Sequence, residues 1–172
     1  RRPAEEDRLT VRRMLASQAI LLALQGVPGV YFHSLVGTPN DLEGMRASGR
    51  ARSINRRKFG FAELCRLVES ETMQGAIFRG YRRLLGIRGR QPAFHPQAGQ
   101  TVVGADDPSL VCFQRTSEAG GQSILVAANF SDQPRRCATP TGQPQRDLIS
   151  DEVFAANQLT LQPCQAVWLV DA

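Results

Sequence analysis

The chain has 172 residues, 42% hydrophobic and 22% charged, which suits one ordinary domain or two small ones with a buried core. Its longest apolar run, Ala19 to Leu24, is far shorter than the about 20 residues that a bilayer-spanning helix needs. The charged opening, Arg1 to Asp7, has no leader pattern, so a cytoplasmic location with no membrane partner is expected.

Net charge is +5, with +9 on residues 1–90 and −4 on residues 91–172. A basic half suits nucleic acid, an anionic substrate or an acidic partner. No recognisable nucleic-acid module is present, and the basic residues fall on several faces, so no nucleic-acid partner is expected. A sugar-binding β-sandwich is the other alternative, but the chain has one Trp, and such surfaces stack sugars on exposed aromatics. Cys65, Cys112, Cys137 and Cys164 lack metal-ligand spacing. They are expected to be free, mostly buried thiols in a reducing compartment, with no metal site; the alternative is a disulfide between two of them.

The first predicted element is a helix over residues 5–24. Val11, Met14, Leu15, Ala19 and Leu22 share one face of a 3.6-residue period. Gly26 is expected to end it in a left-handed cap, and Pro28 to prevent its return. Val30-Tyr31-Phe32 then reads as a strand buried on both faces, as in a parallel sheet. Residues 34–59 read as a long loop ending in a basic cluster. A loop of about 25 residues after a strand is usually functional.

Two helices follow, striped by Phe61, Leu64, Cys65 and Val68, and by Met73, Ile77, Tyr81 and Leu84. Gly75 and Gly80 inside the second suggest close packing there. After Pro96 the period changes to two. Leu110–Arg115 and Ser123–Ala128 flank a turn and predict a hairpin; Leu159–Leu161 and Ala166–Val170 predict a second pair around Pro163. Residues 91–172 are therefore expected to form a small antiparallel β-sandwich. Asn129-Phe130-Ser131 matches a glycosylation sequon.

A lone parallel strand is not a fold, because its backbone groups need neighbouring strands. Residues 1–90 offer none, so the first half is expected to be incomplete.

Specific stretches sharpen this. Gly26-Val27-Pro28-Gly29-Val30-Tyr31 resembles the run leading into the last barrel strand of the α-amylase superfamily, glycoside hydrolase family 13. Tyr31 to Asp41, Gly49 to Arg56, and Ile87 to Pro96 are similar to the sucrose phosphorylase subfamily. That subfamily includes the sucrose, sucrose-6-phosphate and glucosylglycerate phosphorylases. The resemblance implies an α/β plus all-β chain: a C-terminal fragment of a (β/α)8 TIM barrel (last strand and helices, residues 1–90), followed by the sandwich (91–172).

The resemblance also implies a retaining double displacement, with glucosyl transfer from sucrose or a related α-glucoside to phosphate. That reaction needs two carboxyl groups about 5–5.5 Å apart. The family carries them on earlier strands, so no catalytic residue is expected here, and the chain alone should be inactive. A hydrolase of the same superfamily is the alternative. No cofactor is implied beyond phosphate as co-substrate. The implied partners are the α-glucoside, phosphate and the missing N-terminal barrel segment.

By motif position Arg52 matches the family arginine that contacts the glucosyl unit, a task suited to a planar guanidinium. Its plainer reading is a surface arginine in a basic cluster. Asn40 and Asp41 could shape the acceptor side of the pocket or simply form a turn. His33 could bond a sugar hydroxyl or be structural.

Overall fold

A computed structural model describes residues 3–104, 107–138, 142–157 and 159–172. These fall into two compact units, one combining residues up to Pro28 with Arg83–Ala172, the other being Gly29–Arg82. The border expected at residue 90 coincides with neither edge. The reason is the first helix, α1 (Pro3–Ala23), which lies against the sheet of its own unit.

That sheet has six antiparallel strands in the order β1-β2-β3-β8-β5-β6. They are β1 (Gly99–Val102), β2 (Leu110–Thr116), β3 (Ser123–Asn129), β5 (Gln145–Asp147), β6 (Val153–Phe154) and β8 (Ala166–Asp171). The predicted hairpin forms as read, with Cys112 opposite Ala127 and Arg115 opposite Ile124. The second predicted pair does not. The 160–161 segment is β7 (Thr160–Leu161), which pairs with β4 (Arg135–Arg136) in a separate two-stranded sheet. β8 pairs instead with β3 and β5. Both segments have the right period, but pairing between distant strands leaves no local mark in the sequence.

Alternation assigns the faces. Leu110, Cys112, Leu125, Ala127, Val167 and Leu169 point to one side and meet Leu161 of the two-stranded sheet and the flanking Cys137 and Leu159 in an apolar core. Phe113, Ile124, Val126 and Trp168 occupy the other side, where α1 contacts β3 and β8. Ala16, Ala19, Leu22 and Ala23 are all buried. Full burial of a side chain such as Leu22 contributes roughly 1.5–3 kcal/mol. Trp168 is fully buried, edge-on to Phe94 at 4.7 Å, so it serves the core and offers no sugar platform. The asparagine of the sequon is buried too: Asn129 Nδ2 donates to the carbonyls of Gln133, Leu161 and Gln162.

α1 does not end in the glycine cap expected. Gly26 has φ +101, but it lies three residues beyond the last helical residue. The exposed carbonyls are met by arginines. Arg115 Nη1 donates to Ala23 O at 2.5 Å, and Arg88 donates to Leu22 O and Gly26 O. Arg115 also donates to Gly99 O, His95 O and Ala98 O. It is fully buried and satisfied by main-chain oxygens. Burial, and then the charge of Arg88, pushes its pKa down, yet a guanidinium remains charged. Cations at a helix C-terminus are favourable.

Among the described residues, no strand forms before Gly99, which overturns the strand expected at Val30–Phe32. Tyr31 is extended, with φ −82 and ψ 133, but with no neighbouring strand the chain turns into a short helix, α2 (Phe32–Leu35). The loop expected at 34–59 is also more structured, holding α3 (Leu42–Ser48) and a 3-10 turn at Ala51–Asn55. α4 (Phe61–Glu69) and α5 (Met73–Arg88) follow as predicted. Gly75 has its reason: a Cβ there would strike the carbonyl of Ser70.

Two stability predictions follow from these contacts. Arg115→Met removes a donor from four carbonyls, of which His95 O still accepts from Ala98 N at 3.0 Å; each group left unsatisfied costs about 1–3 kcal/mol, and a urea melt should show a loss of about 3 kcal/mol or more. Asp107 accepts from the Ser109 hydroxyl and amide at 2.6 and 2.8 Å and pairs with Arg135 at 2.9 Å. The Ser109 bonds, then Arg135, hold its carboxyl below the ordinary range. Its contribution is therefore present above about pH 4, the unfolded value, and lost as pH falls through the lower folded one. Asp107→Asn should destabilise at pH 7, and the difference from the parent should shrink progressively as pH falls below about 4, read by thermal melts.

Candidate functional site

Gly29–Arg82 is the unit that holds every candidate site residue. It is built from short pieces tied by a few specific bonds. Asp41 starts α3: its Oδ1 accepts from Gly44 N at 2.8 Å, an N-cap worth about 1 kcal/mol. Gly49, at φ +63, ends that helix in the left-handed region. The chain then forms the Ala51–Asn55 turn, and three bonds pin it. Asp41 N donates to Ile54 O at 2.6 Å, Ser48 Oγ donates to Ser53 Oγ at 2.9 Å, and Tyr31 Oη donates to Asn55 O at 2.5 Å.

Arg52 stands on this pinned turn. It is exposed and makes no hydrogen bond or ion pair with the described residues. A fixed backbone with a free guanidinium suits a ligand that arrives from outside. Asn40 is likewise exposed beside Pro39. Asp41 is part-buried and occupied by its cap.

His33 sits among aromatic rings, 5.4 Å from Tyr31, 5.2 Å from Phe32 and 6.0 Å from Phe59. Its Nδ1 is buried and lacks a partner, as does Thr38 Oγ1, and Thr38 N donates to His33 O at 2.9 Å. The structure thus groups His33 and Tyr31 with the Asn55 end of the Arg52 turn. Asp41 joins the same turn through Ile54.

The sequence reading missed one contact here. Arg57 lies over the Phe59 ring at 4.7 Å and pairs with Glu63 at 2.6 Å, so this member of the basic cluster is a structural clasp. The Arg-x-Phe spacing followed by Glu63 in the first turn of α4 was the available signal. The other described carboxylates with partners serve caps and ion pairs: Asp107 with Arg135, Glu71 with Arg79, Asp151 with Arg146, and Asp147 with the amides of Ile149, Ser150 and Trp168. None forms the paired carboxylates that a glycosidic bond needs. Among the described residues, no helix is long and apolar enough to cross a membrane.

Comparison with known proteins supplies the rest. The chain is 37% identical over 168 residues to a glucosylglycerate phosphorylase of Allomeiothermus silvanus, covering 97% of this chain and 28% of that protein. Over nearly its whole length it is similar to the glucosylglycerate phosphorylases. A second such enzyme, from Escherichia coli, is 32% identical over 98% of the chain and 30% of its own length. A sucrose 6(F)-phosphate phosphorylase of Thermoanaerobacterium thermosaccharolyticum matches 47% of the chain at 30% identity, over 16% of its own length. The resemblance read from the Gly26–Tyr31 and Gly49–Arg56 stretches is borne out. The chain spans less than a third of the length of these phosphorylases. No protein-family model matches it.

Among solved structures, isomaltulose synthase from Klebsiella sp. LX3 matches 92% of this chain and 38% of its own, with TM-score 0.70 and 18% identity. Trehalulose synthase from Pseudomonas mesoacidophila MX-45 matches 93% and 38%, with TM-score 0.63 and 19% identity. At that identity the likeness concerns the fold.

The geometry of Gly37 sets a test. Its φ is +61, and a Cβ there would meet Ile77 Cδ1 at 2.7 Å. Gly37→Ala should destabilise the 29–82 unit by about 1–3 kcal/mol and raise hydrogen exchange in α3 and the Arg52 turn, while β2 and β3 keep their protection.

Proposed function

We propose that this chain is the C-terminal part of a retaining α-glucoside phosphorylase of glycoside hydrolase family 13. In this reading Gly29–Arg82 completes the last turn of a (β/α)8 barrel, and the sheet is its trailing domain. The observation that carries it is the likeness to glucosylglycerate phosphorylases over nearly the whole chain, joined to an unpaired Arg52 on a pinned turn. The reaction is glucosyl transfer from an α-glucoside to phosphate, with no cofactor. Glucosylglycerate is the first donor to test, since it names those relatives.

Each residue has a task in this reading. Arg52 donates its planar fork to hydroxyls of the glucosyl unit. His33 offers Nδ1 to a sugar hydroxyl, which would relieve a buried unpartnered nitrogen. Asn40 faces the acceptor side, and Asp41 holds α3 and so the loop's shape. The nucleophile and the acid/base belong to an upstream barrel segment. Exposed Val30, Tyr31, Phe32 and Phe61 support such a partner, because side chains of this kind are ordinarily covered. The protein works in the cytoplasm, where phosphate is abundant.

The test uses the full-length protein. With glucosylglycerate and phosphate it should form glucose 1-phosphate in step with phosphate consumed, and the 172-residue chain alone should form none. Glucose release independent of phosphate would favour the hydrolase reading. Arg52→Ala should lower kcat/KM about 10- to 100-fold, the worth of a hydrogen bond to a charged group. Asp41→Ser, which retains the cap, should leave it within about threefold.

A further inference from the structure

The four cysteines are free, and Cys112, Cys137 and Cys164 are buried. Two of them touch. Cys112 Sγ and Cys137 Sγ lie 3.1 Å apart, each in a residue only 5% exposed. Cys112 is in the middle of β2, in the six-stranded sheet. Cys137 directly follows β4, in the two-stranded sheet, where its N–H donates to Leu159 O at 3.0 Å. The two sulfurs therefore meet across the core between the sheets, surrounded by Leu110, Leu125, Leu159 and Leu161.

We infer that Cys112 and Cys137 form a modification site, closing into an intersheet disulfide when the protein meets an oxidised low-molecular-weight disulfide. The sulfurs need to approach by about 1 Å to reach bonding distance, about 2.05 Å, and β4 is a two-residue edge strand, which can move and admit the reagent. The two thiols share a hydrogen bond in which either sulfur can be the donor. This contact pushes the Cys112 thiol up and the Cys137 thiol down.

Cys137, which directly follows the short edge strand β4 while Cys112 lies in the middle of β2, is the attacking group. Its thiolate attacks one sulfur of the reagent, breaks that S–S bond and displaces a small thiolate, leaving a mixed disulfide. Cys112 then loses its proton to solvent and attacks the Cys137 sulfur, expelling the second small thiolate. Two protein thiols and one small disulfide become one protein disulfide and two small thiols, with two electrons passed to the reagent. The bond would tie β2 to the end of β4 and close a loop of about 25 residues, which restricts the unfolded chain.

The experiment treats the full-length protein with oxidised glutathione, blocks remaining thiols with iodoacetamide, and maps peptides by mass spectrometry. The expected result is a Cys112–Cys137 cross-linked peptide, Cys65 and Cys164 alkylated, and a melting temperature about 5–10 °C higher than that of the reduced protein. Dithiothreitol should reverse both. Cys137→Ala, with Cys112→Ala as the second variant, should fold but show no oxidant-dependent shift. Four alkylated cysteines after prolonged oxidation, a stable glutathione adduct on Cys137, or a cross-link that uses Cys65 or Cys164 would each overturn the inference.

Discussion

A buried guanidinium without a carboxylate organises the larger unit. Arg115 points from the centre of the sheet at the C-terminal end of α1 and is held there by main-chain oxygens of Ala23, His95, Ala98 and Gly99. Taking a charge out of water is costly. Here the negative end of the α1 dipole and three further carbonyls stand in for the lost hydration. Arg88 takes the neighbouring carbonyls of Leu22 and Gly26, so two like charges share one helix end. That crowding is tolerable because several peptide dipoles converge on the same point.

This contact explains why α1 is grouped with the sheet. A helix capped by the sheet's own arginine, with its Ala16, Ala19 and Leu22 stripe buried, is bound at both its side and its end. The peptide between Ala23 and Pro28 is anchored as well, through Gly26 N on Pro96 O at 3.1 Å and Gln25 N on the Gln100 side chain at 2.9 Å.

The Gly29–Arg82 unit rests on different physics. It has no sheet, and its elements of four to nine residues before α5 are too short to be stable by propensity. Caps and single cross-bonds hold them, chiefly Asp41 on Gly44, Tyr31 on Asn55 and Ser48 on Ser53. Such a unit keeps a loop in shape without burying its side chains, which suits Arg52. It also explains the exposed Val30–Phe32 segment. Val30 and Tyr31 have the composition of a buried strand, but with no neighbouring strand to take their hydrogen bonds the chain passes directly into α2 at Phe32.

Much of this was legible in the residues, and the limits follow a pattern. The 3.6-residue period marked α1, α4 and α5, and the two-residue period marked the β2–β3 hairpin, because those signals are local. The Gly49–Arg56 stretch was legible only through its likeness to a family, since no arrangement of charge or spacing there specifies a sugar. Arg115 carried a faint signal: it shares the inward face of β2 with Phe113, and a charge on a core face needs a reason. What the sequence determined by itself was the kind of each element, the side it buries and the relatives it resembles. The tertiary structure alone decided that β7 leaves β8 for β4, that arginines rather than Gly26 close α1, that Asp41 is spent on a cap, and that Cys112 meets Cys137. Each of these joins groups far apart in the chain, and such a pairing depends on which partner the folded backbone brings within bonding distance.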